Sequence, residues 1–484
     1  MKKFIIAVAL LFSLSTYAQF IEGKAPTKKE LEINNTNDAA ALVKQAFAAK
    51  KEKEYPNLVR ILKKAYGLEP FSPVIQYMLA EAYALNNNKS EAFDTLIQIQ
   101  KQGFYFDLAS NDSLENINSF PVFKYIKENM DANIQHFGEG EEVFNINKSF
   151  SGLLFENIAY DSNSQSILMG SIRDGRVIKI GEDGSVVNLV KASGGGAKGP
   201  WAAIDIEVDA KNDILWVASS GISQFAKINK ESSGLSGVFK YQLSTGNLMQ
   251  SYLLPTKGGP SLIRSMHLTK QGDLYLVESV RNIILKLPKG TDKFHMAFET
   301  KIYKNLNRIT SDETGKILYL TDDKEGIIIL NLDQKEVYTI KNKASLNLTD
   351  ISDILFDDNA LVVIQNGFKP ERIIRLQLKK NKFVVEHLFP IEVANPKFNH
   401  PTYGVVINEG LFYIANSQAP KTDLYGGLNK GQQWEDMVVL SSPKHYKEKE
   451  TLEYQDKVKN YKFDPKTAMK GGQKEESKKD KKDN

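Results

Sequence analysis

The stretch 155–180, FENIAYDSNSQSILMGSIRDGRVIKI, reads as strand, turn, strand, turn, strand, with Glu156 and Asn157 at its head. The same rhythm recurs down the chain. Aligning the turn residue after each leading strand gives Asp161, Asp209, Thr269, Asp312, Asp357 and Asn408, at intervals of 48, 60, 43, 45 and 51 residues. Each is followed by a second strand: SILMGS (166–171), DILWVASS (213–220), GDLYLVES (272–279), KILYLTDD (316–323), ALVVIQNG (360–367) and GLFYIANS (410–417). Most units then show a third, as in GRVIKI, IILKL, IIILNL and RIIRLQL. Six copies of a four-strand unit predict a six-bladed β-propeller. Strands this dense in Ile, Leu and Val are buried on both faces, where a sandwich would alternate. The last unit supplies GVVI, LFYIAN and MVVL, so its fourth strand is expected from EEVFNINKSF (141–150), which closes the ring and removes an exposed edge.

Upstream, residues 38–137 carry a helical period. AAALVKQAFAAKKEKEYPNLVRILKKAYGLEP (39–70) and SPVIQYMLAEAYALNNNKSEAFDTLIQIQKQG (72–103) place apolar residues at three- and four-residue spacing. Ala46 matches Ala80, Leu58 matches Ala92 and Leu62 matches Leu96, a register of 34 residues. The stretch resembles tetratricopeptide repeats, with Tyr83 and Pro70 in the expected places. SLENINSFPVFKYIKENM (113–130) then reads as a capping helix pair. The fold class is therefore an all-α helical-repeat domain followed by an all-β propeller.

The ends have a different character. Lys2 and Lys3, the apolar run Phe4 to Leu14 and Thr16-Tyr17-Ala18 form a signal peptide (1–18), with cleavage expected after Ala18 and export to periplasm or medium. Residues 19–37 read as a linker, 138–443 as the propeller, and 444–484 as a disordered tail of interspersed Lys and Glu/Asp. No later run approaches the ~18 apolar residues of a membrane span. With no cysteine, the chain has no disulfides, so a large core or a bound metal must hold it. A formal charge of +4 over 484 residues, with no basic stripe, argues against nucleic acid.

Several motifs are absent. SGGGAKGPW (193–201) lacks the Gly-Lys-Ser/Thr of a phosphate loop, the six histidines show no zinc spacing, and no Gly-x-Ser-x-Gly elbow occurs. Trp201, Trp216 and Trp434 read as blade packing. Propeller ligands bind at the axis, where the leading strands converge. The residues five before each turn marker are Glu156, Ile204, Arg264, Asn307, Ser352 and Tyr403; those four before are Asn157, Asp205, Ser265, Arg308, Asp353 and Gly404. Acids and amides around a narrow axis suit a hard cation such as Ca²⁺, able to polarise a lactone or ester carbonyl. Two arginines there favour an anion instead.

The propeller is similar to the gluconolactonase, senescence marker protein and luciferin-regenerating enzyme superfamily. ENIAYDSNSQSILMGSIRDGRVIKI resembles its first blade, NRITSDETGKILYLTDD its Asn-Gly blade, and SMHLTKQGDLYLVES and YGVVINEGLFYIANSQ its repeat. The resemblance implies one divalent cation on a Glu, Asn and Asp constellation, with Glu156 and Asn307 as metal ligands. A second Asn position falls on Arg264 and the Asp position on Ser352. Asp353 lies one residue on, which in a regular strand points to the opposite face. The family's glycines are replaced by Asn157 and Arg308. Two readings follow. In one, the channel binds a small anion or a peptide through Arg264, Arg308, Asn157 and Tyr403, with the helical domain recruiting a protein partner or bracing the propeller. In the other, a metal on Glu156 and Asn307 serves a lactonase or esterase, with Asp353 or Asp205 as ligand or base. The arginines tilt the balance to binding.

Overall fold

The computed structural model describes residues 27–256, 259–342 and 346–445; the expected signal peptide and nearly all of the charged tail lie outside them. Helices α1 (Lys28–Asn35), α2 (Ala39–Lys51), α3 (Tyr55–Leu68), α4 (Pro73–Leu85), α5 (Lys89–Lys101) and α6 (Pro121–Asn133) come first. Their starts follow from capping chemistry. Thr27 and Glu30 form a reciprocal capping box on α1, Asp38 caps α2, and Ser72 with Pro73 opens α4. Helix α1 falls inside the stretch read as a linker: its one buried side chain, Ile33, joins the core of α2 and α3, which gives the short helix a reason to form. From α2 to α4, Ala39 to Pro73, and from α3 to α5, Tyr55 to Lys89, the starts recur at the 34-residue register. Ala46, Ala80 and Ala92 are fully buried, as small residues at close helix crossings require.

The remainder is a ring of six sheets, antiparallel except where Lys341–Asn342 pairs parallel with the outermost strand of the fifth. Their inner strands are Ala159–Asp161, Ala202–Asp209, Ile263–Leu268, Leu306–Ser311, Ile351–Asp357 and Thr402–Ile407, heading blades 1 to 6. Blades 1 to 5 are each built from consecutive strands, with Lys341–Asn342 added beside the outermost strand of blade 5. Blade 6 takes its outermost strand from Glu141–Ile146, which pairs antiparallel with Met437–Pro443. The ring is thus closed by the chain's earlier segment, as the sequence predicts. The second strands of blades 1, 3 and 5 bury every residue, including Leu168, Met169, Leu276, Val362 and Ile364. Blade-to-blade packing leaves neither face to water.

One irregularity repeats around the ring. Each inner strand loses one residue of register against its neighbour near its start: between Ala203 and Asp205, Ile263 and Ser265, Leu306 and Ile309, Ile351 and Asp353, and Thr402 and Gly404. In blade 1 the same slip lies between the Phe155–Ser171 bridge and the Ala159–Leu168 pair. Such a bulge re-aims the side chains around it.

The helical domain rests on blade 5. Phe104 packs edge-on to Phe368 at 4.5 Å, the Tyr105 N–H donates to the Lys369 carbonyl at 2.9 Å, and Phe137 exchanges two backbone hydrogen bonds with Val393. Arg372, buried in the junction, donates to Gln365 Oε1 at 2.9 Å and to the Gln102 carbonyl at 2.8 Å.

Candidate functional site

The six bulges bring residues of both predicted sets to the axis. Glu156 and Tyr403 come from the first set; Asp205, Arg308 and Asp353 come from the second. The opposite-face expectation for Asp353 is therefore corrected: the slip after Ile351 turns its carboxylate inward, where it lines the channel cavity with Asp205 and Tyr403.

Arg308 dominates the centre. Its Nε donates to the Ser352 carbonyl at 2.8 Å, its Nη1 to the Arg264 carbonyl at 2.9 Å, and its Nη2 to the Tyr403 hydroxyl. Its guanidinium carbon stands 4.2 Å from the Tyr403 ring centroid. One blade-4 side chain thus ties blades 3, 5 and 6 across the channel. Burial works against its charge, but the fields of Tyr403, Asp353 and Asp205 outweigh that and raise its pKa further. The expected anion site at Arg308 is corrected on this ground. All three of its donor nitrogens are engaged, and carboxyls surround its charge.

The acids around it are held by neighbouring blades. Asp205 accepts from the Met266 N–H at 2.8 Å and from Ser265 Oγ at 3.2 Å; Asp353 accepts from the Gly404 N–H at 2.8 Å. Asn157, fully buried, donates to the Ala203 and Gly170 carbonyls at 2.9 and 3.2 Å and accepts from the Gly170 N–H at 2.6 Å. It is a fastener between blades 1 and 2, not a ligand-binding group at the rim. Glu156 accepts from Ser417 Oγ at 2.5 Å. Each of Glu156, Asp205 and Asp353 keeps some surface open to the channel, yet the walls strip away most water. Desolvation pushes Glu156 and Asp205 up to about 7, against the opposing field of Arg308, and raises Asp353 as well. Burial likewise lifts Tyr403 to about 12.

The remaining predicted residues lie apart from this cluster. The Arg264 side chain is exposed; Asn307 donates to Asp323 Oδ1 at 3.2 Å; and Ser352 Oγ reaches the Ile364 and Pro401 carbonyls. A Ca²⁺ ion requires six to eight converging oxygens. Here Asn307 is turned to Asp323, Glu156 to Ser417, and a guanidinium stands among the carboxylates. Among the described residues no three His, Asp or Glu side chains gather as a metal site. The residues present do not fit the expected cation.

Beside Arg308, toward the C-terminal ends of the inner strands, a cavity of about 270 Å³ opens. Its polar wall includes Asp205, Glu207, His267, Thr310, Asp353 and Tyr403, and no Lys or Arg lines it among the described residues. Sequence spacing missed Glu207 and His267, which sit two residues before their turn markers. His267 Nδ1 is 3.5 Å from Glu207 Oε1, and its Nε2 is 2.9 Å from Ser311 Oγ. The order acid, imidazole, hydroxyl is that of a catalytic triad. However, Ser311 is 6% exposed and lies behind the wall, and its hydroxyl also bonds the Asp312 carbonyl. The chain fastens blades 2, 3 and 4.

No protein-family model and no curated protein matches the chain. Solved structures do. A protein of unknown function from Bacteroides thetaiotaomicron is 13% identical, with TM-score 0.44, covering 64% of this chain and 76% of its own. A gluconolactonase from Xanthomonas campestris is 11% identical at TM-score 0.42, covering 64% and 93%. A luciferin-regenerating enzyme is 10% identical at TM-score 0.43, covering 63% and 95%. The likeness ends at architecture.

Proposed function

We propose that the propeller is a binding protein whose channel cavity takes a small polyhydroxy ligand bearing an amine. The observation that carries this is the sign of the wall: Asp205, Glu207 and Asp353 face a space lined by no free cation among the described residues. An ammonium entering there meets carboxylates already positioned by backbone N–H groups of the next blade, while Tyr160 and Phe356 supply apolar surface. Because Asp205 is held near neutral pH, an arriving ammonium favours its ionised form and expels a proton. The volume of about 270 Å³ suits a single sugar-sized molecule. In this reading the helical domain braces blade 5.

Thermal shift with glucosamine, glucose and gluconate tests the charge preference. Glucosamine is expected to raise the melting temperature, glucose to do so less, and gluconate not at all; Glu207→Gln should abolish the difference. Stabilisation by gluconate above the other two would return the channel to the anion reading.

The hydrolytic reading keeps one support, Glu156, whose carboxyl at about 7 is poised to give or take a proton near neutral pH. Lactone turnover lost in Glu156→Gln would favour it; no turnover by the intact protein removes it.

A further inference from the structure

A second cavity, about 410 Å³, lies between blades 2 and 3, away from the axis. Trp216 from the second strand of blade 2, Lys240 from the third and Gln250 and Tyr252 from the fourth form one side; Lys289 and Thr291 of blade 3 form the other. Trp216 and Tyr252 are 8% and 7% exposed, with ring centroids 5.8 Å apart. Aromatic residues buried this far normally find a partner for their polar tips. Trp201 does, donating its indole N–H to the Gly196 carbonyl at 3.0 Å. The Trp216 indole N–H and the Tyr252 hydroxyl have no hydrogen-bond partner among the described residues, and neither is sealed in the core as an orphan. Both therefore reach open space at the cavity they line.

The charges point the same way. Lys240 Nζ lies 5.4 Å from the Trp216 ring centroid, and neither it nor Lys289 Nζ forms an ion pair among the described residues; Lys289 adds to the field on Asp273, whose carboxylate is paired with Lys286. The one acid in the wall, Asp209, already accepts from the Asn212 backbone at 3.2 Å and its amide at 2.7 Å. What remains is a donor-rich pocket: two ammonium groups, an indole N–H, a hydroxyl and the Gln250 amide, against one engaged carboxylate.

We infer that this cavity is a binding site for a small organic oxyanion of monosaccharide size, such as a sugar acid. The lysines take the carboxylate, and Trp216, Tyr252 and Gln250 meet the remaining oxygens. With so little of its ring exposed, Trp216 contributes a donor and a wall, not a stacking face. The donors that an anion needs, engaged within the protein at Arg308, are here left facing a cavity between blades.

Intrinsic fluorescence reads this site, because Trp201 is buried elsewhere and Trp434 packs near blades 1 and 2. Titration of the full protein with glucuronate is expected to give a saturable change that glucose does not and that inorganic phosphate competes with. Lys240→Gln and Lys289→Gln should each weaken it roughly tenfold. Trp216→Phe should remove the signal, while calorimetry on that variant still detects weakened binding. Two results overturn the inference: no saturation by glucuronate up to tens of millimolar, or an affinity unchanged in the double lysine variant whose melting curve matches the parent.

Discussion

At the residue scale, the centre of the molecule is an exchange of charge across blades, and its members behave differently on titration. Glu156 has a folded pKa of about 7, above the ordinary 4.5, so the folded state binds a proton that the unfolded state releases. Its contribution to stability falls as pH rises from the ordinary value to about 7 and is flat beyond. Glu156→Gln keeps an acceptor for Ser417 and removes the buried charge. It is expected to be more stable than the parent at pH 8, by on the order of 2 kcal/mol, with the gap closing toward pH 5. Urea unfolding across that range measures it, and a gap that widens on acidification would refute the assignment. Arg308 acts in the opposite sense. Replacing it with Met leaves Asp205, Asp353 and Glu156 without their cation and opens three inter-blade hydrogen bonds. A loss of about 3–5 kcal/mol is expected. Adding Glu156→Gln should restore part of it, a coupling that a double-mutant cycle reads directly.

At the scale of elements, the inner strands are defined by their bulges as much as by their pairing. The dense runs of Ile, Leu and Val and the recurring turn residues made the six units legible, because both are properties of side chains along the chain. The bulge is a property of backbone register between two strands, and no residue type marks it: the slipped positions hold Ile204, Arg264, Asn307, Ser352 and Tyr403. That is why the spacing reached Glu156, Asp205, Arg308 and Tyr403 but also Arg264 and Asn307, which lie apart from the cluster, and why it set Asp353 on the wrong face and Asn157 in the wrong role. Glu207 and His267 escaped notice for a related reason, since they come from farther along strands whose inward phase is reset by the slip. Helix α1 was missed because one buried Ile33 in eight residues leaves almost no period. Asn157 provides the element-scale test. Its Nδ2 donates across to Ala203 of blade 2, while Nδ2 and Oδ1 together clamp Gly170 of its own blade. Asn157→Ala orphans the Gly170 N–H and the Ala203 carbonyl, with an expected cost of about 2–4 kcal/mol. Asn157→Asp keeps the acceptor but sets a carboxylate against two carbonyls, so it should be the worse of the two. Chemical denaturation with an unchanged m-value would confirm a local loss; equal stability of Asp and Asn would refute the fastening role.

At the scale of the whole molecule, two cores share one rim. The helical domain has its own interior around Leu62, Ala65 and Ile75, and a second cluster that runs from Leu96 and Ile126 to Phe104 and onto Phe368 of blade 5. Arg372 is the polar member of that joint. It is buried, with no carboxylate partner, and its Nη2 makes no hydrogen bond among the described residues. Burial lowers its pKa to about 10, so the charge is retained at neutral pH but held against desolvation. What keeps it there is geometry: its Nε and Nη1 join Gln365 of the propeller to the Gln102 carbonyl at the end of α5, between the rings of Phe104 and Phe368. A group that is costly to bury and placed across a boundary contributes to registry more than to the depth of either core. Arg372→Met should therefore leave each domain folded while separating their unfolding. Calorimetry is expected to resolve two transitions where the parent shows one, and limited proteolysis to cut first near residues 134–140, between α6 and the closing strand. Arg372→Lys, which keeps charge but cannot span both acceptors, should behave like Met. A single transition with an unshifted midpoint in both variants would mean that the apolar contacts of Phe104 and the Phe137–Val393 pair hold the domains alone.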